Sequence, residues 1–216
     1  SIFLFQNWSG AGDLVRYFLL LAQAGILIGL GWALRRQWAD HKGAMLLAGI
    51  GLVTVGANFG VLGAFTWSHF PLWGPPAQDP ARLTWEASST LALAGTVAVA
   101  LPVLSALTHL AFGLLTTTTR GPLTGLFLAG GLVLLAPVRE AWVLCLAAAA
   151  LAGMAGLLLR RNEFPRSEEK QGQWAMGITL LPPLVILGRG GWLYPEPGSS
   201  LYLATLFLLL WLGTRL

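Results

Sequence analysis

The chain has 216 residues, is 56% hydrophobic and only 10% charged, and carries a net charge of +4. Soluble domains carry about 25% charged residues, so too little polar surface exists here to cover a water-exposed fold. An integral membrane protein follows, and the positive charge reads as loop asymmetry rather than as a nucleic-acid surface.

Seven segments are apolar and long enough to be spanning helices: 13–34, 44–67, 87–115, 121–138, 140–159, 173–190 and 199–214. Each approaches the roughly 20 residues that a bilayer crossing needs. The expected fold is all-α, a single transmembrane bundle over residues 1–216. The opening SIFLFQNWSGAGD lacks the basic start and cleavage site of a signal peptide, so targeting is expected from the first span.

Orientation follows from the distribution of Lys and Arg. With the N-terminus outside, the inner face receives Arg35, Arg36, Lys42, Arg120, Arg160, Arg161, Arg166, Lys170 and Arg215. The outer face receives only Arg16, Arg82, Arg139 and Arg189. The positive-inside bias therefore selects N-out and C-in. Trp32, Trp38, Trp67, Trp73, Trp85, Trp174, Trp192 and Trp211 fall near the ends of spans, where an interfacial aromatic belt is expected.

Polar residues inside the spans are few. Gln23 and Asn58 lie in the first two and suit hydrogen bonds between helices. The glycine-rich runs GILIGLG and GIGLVTVGANFG suit close backbone approach. Cys145 is the only cysteine, so the chain supplies neither a disulfide nor an iron–sulfur ligand set. With three histidines, His41, His69 and His109, two bis-histidine haems are excluded by count. His109 and His41 are the only pair at similar depth, and no haem is expected.

The outer loop between spans 2 and 3 is the most distinctive stretch: FPLWGPPAQDPARLTWEASST, residues 70–90, preceded by His69. Thr84 or Ser88 is expected to cap the third helix, with Glu86 in its first turn, where a carboxylate suits the helix dipole. The same residues suit a quinone pocket. Trp67, Trp73 and Trp85 would wall the ring, His69 would bond a quinone oxygen, and Glu86 would accept protons as quinol is oxidised. Arg82 and Arg189 would orient a quinone oxygen or a partner surface.

Several motifs resemble the membrane-anchor subunit of the dimethyl sulfoxide reductase family. They are YFLLLAQAGILIG with Phe18, Gln23 and Gly25; ARLTWEASSTLALAG with Glu86; and ILGRGGWLY with Gly188, Arg189, Trp192 and Tyr194. Asn58-Phe59-Gly60 stands where that family carries His-Leu-Gly. The resemblance covers about half the chain. It implies a bacterial cytoplasmic-membrane anchor that holds an iron–sulfur subunit and a molybdopterin catalytic subunit on the outer face, with menaquinol as electron donor. The quinol-linked histidine and glutamate of that family fall by position on His69 and Glu86. A second resemblance involves the same loop. WG…DPARLTWE is similar to the WG…WDARLTSE motif of the haem-handling membrane protein of cytochrome c maturation. A structural scaffold within a larger membrane complex is the third expectation.

Overall fold

The computed structural model describes residues 12–69, 85, 87–116, 119–136, 140–160, 175, 177–193 and 202–206, with the side chains of 159, 160 and 189–193 outside that set. Six helices run α1 (Asp13–Gln37), α2 (His41–His69), α3 (Thr90–Leu115), α4 (Arg120–Leu135), α5 (Ala141–Arg160) and α6 (Leu181–Leu193). Residues 202–206 are also helical, within the seventh expected span. No strand occurs among the described residues. The chain is thus an all-helical protein of the membrane type. α1, α2, α3 and α5 are each apolar and long enough to cross a bilayer. α4 has 16 residues, about 24 Å of rise, short of the roughly 30 Å hydrocarbon core.

α2 is the central helix. It packs against α1, α3 and α4, while α5 pairs with α6 and reaches the rest through α4. α1 buries Tyr17, Leu21, Ala24, Ile28 and Gly31, which recur at steps of three and four. Its other faces expose Phe18, Leu19, Ile26, Leu30 and Trp32. Large apolar side chains left outside are the inverse of a soluble fold, and lipid is the solvent that makes this favourable. Between 22% and 44% of each long apolar window is buried within the protein, so most of that apolar surface faces outward.

Small residues set the helix spacing, as expected where lipid gives no hydrophobic drive to association. Gly31 of α1 faces the Ala44 carbonyl of α2. Gly63 of α2 lies against the backbone of Leu134 and Leu135 of α4, and Thr66 Oγ1 donates to the Leu135 carbonyl at 2.8 Å. Not every glycine in the two rich runs has this role. A Cβ added at Gly25, Gly29 or Gly60 would meet no atom within 4 Å.

Two expected boundaries shift. The third helix begins at Thr90, and Ser89 is its cap, accepting the Ala92 N–H at 3.1 Å. Ser88 therefore does not cap it, Thr84 lies outside the described residues, and no acidic residue occupies its first turn. Ser89 wins because its extended backbone (φ −161°, ψ 159°) aims its hydroxyl at the free amides of the new helix. The sixth span is not one continuous helix. Residues 177–179 are helical, Leu180 is a turn, and α6 restarts at Leu181. Pro182 and Pro183 have no N–H to continue the earlier turn, but fit the first turn of a new helix.

The α1–α2 link is short. Ala39 adopts φ 51°, the left-handed region, and the Asp40 N–H folds back to the Leu34 carbonyl at 3.3 Å. The Asp40 carboxylate accepts the Gly43 N–H at 3.0 Å and caps α2.

Candidate functional site

Helix directions define two ends. α1 and α3 finish, and α2 and α4 begin, at a cationic end that holds Arg35, Arg36, Lys42 and Arg120. There Arg35 donates to the carbonyls of Gly113 and Leu114 at 3.0 and 3.2 Å, and Arg120 Nε donates to the His109 carbonyl at 2.8 Å. Arg35 thus satisfies two of the last carbonyls of α3, where the helix dipole is negative, while Arg120 adds a bond to a carbonyl one turn and a half further in. These contacts bridge distant parts of the chain, and no local motif announced them. By helix direction, Arg160 falls at this end, and Arg16 and Arg189 at the other.

The opposite end carries the loop-2 candidates. Phe18, Tyr17, Phe65 and Trp85 form a chain of edge-to-face rings with centroid separations of 5.7, 5.9 and 5.7 Å. This geometry sets positive ring edges on negative faces. Tyr17 is fully buried, and its hydroxyl has no hydrogen-bond partner among the described residues. Beside it, Asp13 and Arg16 form an ion pair at 3.1 Å. Tyr17 and Phe65 were not among the sequence candidates. The available signal was the stripe 17, 21, 24, 28, 31, which starts with the one residue able to donate a hydrogen bond.

An apolar cleft of about 400 Å³ opens beside this cluster, lined by Thr66 of α2 and Thr90, Leu93, Ala94, Val97 and Ala98 of α3. His69 ends α2 and is partly exposed. Its Nδ1 lies 3.4 Å from Ser68 Oγ. Viewed down α2 from Phe65, Thr66 lies about 100° round and His69 about 40° round. His69 therefore projects between the Phe65–Trp85 packing and the Thr66 cleft, one turn beyond both.

Asn58 is fully buried. Its Nδ2 donates to the Thr54 carbonyl at 2.8 Å and to the Leu20 carbonyl of α1 at 3.4 Å, while Oδ1 has no partner among the described residues. It shares the face of Phe65 but sits seven residues away, about 10 Å deeper. The expected bond between helices is thus present at Asn58. Gln23, the other amide expected to join helices, is exposed instead. It lies off the 17–21–24–28–31 stripe, so it faces outward.

The structure brings Trp85 and His69 to the same end of α2 and separates Asn58 from both. Trp73, Arg82 and Glu86 lie outside the described residues, as does the side chain of Arg189. His41 and His109 are exposed at the cationic end. Among the described residues, no group of three His, Cys, Asp or Glu side chains could hold a metal ion. The chain matches no known family model, no curated protein and no solved structure.

Proposed function

We propose that this chain is a quinol-interacting membrane anchor of a bacterial multisubunit oxidoreductase, with the His69 end outside. The observation that supports this reading is the apolar cleft between α2 and α3, with His69 above it and the Tyr17–Phe65–Trp85 rings beside it. A flat, apolar ring with an isoprenoid tail suits such a cleft, since it opens toward lipid and has few polar groups. The grouping of Arg35, Arg36, Lys42, Arg120 and Arg160 at the other end supports the orientation.

In this reading His69 bonds a quinol oxygen and holds the ring at the membrane boundary. Menaquinol loses two electrons and two protons as it becomes quinone. The electrons pass to an iron–sulfur cluster in an attached subunit, which in turn feeds a molybdopterin subunit. The protons leave to outer water, with Glu86 as first acceptor. Arg82 and Arg189 remain candidates for orienting quinone or partner.

The test uses the full chain in nanodiscs, with menaquinone binding read by tryptophan quenching. His69→Ala and a cleft-filling Leu93→Trp should each weaken binding about tenfold or more, the value of one good hydrogen bond or of lost ring contact. Unchanged affinity in both variants would sink the quinone site. Purification from the native membrane without an iron–sulfur partner would separately sink the anchor role.

A further inference from the structure

A second groove, at the cationic end, has no part in the quinol reading and stands independently of it. It has a volume of about 450 Å³ and runs along α2 through Lys42, Met45, Gly49 and Val53, facing Leu115 and Ile178. These α2 positions are spaced by three or four residues, so they form one continuous stripe. From residue 42 to residue 53 the stripe rises about 16 Å, close to one leaflet of a roughly 30 Å hydrocarbon core.

The groove is apolar along its length and cationic at its mouth. Lys42 is exposed and makes no ion pair among the described residues. Arg35 lies close by, held on the carbonyls of Gly113 and Leu114, next to groove-lining Leu115. The neighbouring carboxylate, Asp40, accepts the Gly43 N–H and is engaged as a helix cap. Among the described residues around the α1–α2 link, Arg35, Arg36 and Lys42 set three positive charges against the single carboxylate of Asp40, at the level where a phospholipid phosphate lies. Basic sites between transmembrane helices on the inner side suit anionic headgroups, while the stem of lysine follows the apolar wall.

We infer that this groove is a binding site for one anionic phospholipid, with its phosphate at Lys42 and an acyl chain along Met45, Gly49 and Val53. Gly49 makes room for the chain. A Cβ there would meet only the Ile178 Cδ1 at 3.4 Å, an ordinary contact, so the helix accepts a Cβ here and a longer side chain would extend into the groove.

The experiment reconstitutes the full chain in nanodiscs of phosphatidylcholine mixed with phosphatidylglycerol and counts retained lipid by native mass spectrometry. Wild type should retain phosphatidylglycerol in preference to phosphatidylcholine. Lys42→Gln should lower that preference about fivefold, the effect of one basic residue near an anionic surface. Lys42→Arg should restore it. Gly49→Leu should remove the retained lipid while leaving thermal stability near wild type. Equal retention of both lipids by wild type, or an unchanged preference in both Lys42→Gln and Gly49→Leu, would overturn the assignment. Menaquinone binding at the His69 end should be unaffected by either variant, and its loss there would also overturn the assignment.

Discussion

Gly63→Ala tests the helix spacing most directly. An added Cβ would overlap the Leu134 carbonyl oxygen and lie 3.0 Å from its carbon and 3.4 Å from the Leu135 Cα. All three are backbone atoms, so no side chain can rotate away, and α2 and α4 must separate. Overpacking of this kind costs about 1–3 kcal/mol. Separation also stretches the Thr66–Leu135 hydrogen bond of 2.8 Å, which is worth about 1 kcal/mol. Replacing glycine with alanine inside a helix returns about 1 kcal/mol. The balance is a loss of about 1–3 kcal/mol. Reversible unfolding in mixed micelles measures it, with Gly29→Ala as the control, since a Cβ at Gly29 would meet no atom within 4 Å. The control should match wild type or exceed it slightly. Thr66→Val should cost about 1 kcal/mol in wild type and less in Gly63→Ala, where the bond is already strained. Gly63→Ala within about 0.5 kcal/mol of wild type, the ordinary scatter of harmless substitutions, would refute the close α2–α4 approach.

Two further changes probe the cationic end. Ala39→Gly relieves the left-handed backbone at φ 51° and should stabilise by about 0.5–1 kcal/mol after the extra chain entropy of glycine is counted, measured by the same unfolding assay. Arg35→Gln removes two charge-assisted bonds to the end of α3 and should cost about 1–2 kcal/mol. Arg36→Gln loses only the stacking of its guanidinium 4.9 Å from the Trp32 ring and should cost about 0.5 kcal/mol. Equal effects for the two arginines would argue against the capping role of Arg35.

The described helices lie within a few residues of the first five expected spans, because a long apolar run has only one stable solution in lipid. The discrepancies are local chemistry. Ser88 and Ser89 are adjacent hydroxyls, and hydropathy cannot say which backbone will be extended. Pro182 and Pro183 sit in an apolar window that averages smoothly over them, yet their missing N–H groups end one helix and begin another. At the candidate site, His69 and Trp85 were legible as unusual residues at a span boundary. Tyr17 and Thr66 were not, since an aromatic and a threonine in apolar helices are ordinary until a neighbouring helix covers them.

The sequence by itself determined the class of protein, the positions of most spans and the charge asymmetry between their ends. Tertiary structure alone decided that Gly63 is a contact and Gly29 is not, that Asn58 bonds across helices while Gln23 faces outward, and that Arg35 and Arg120 both bond carbonyls of α3. Composition along a chain records whether a helix belongs in lipid. Which face of that helix is covered depends on the neighbours it meets, and those lie as far along the chain as Ile178 is from Gly49.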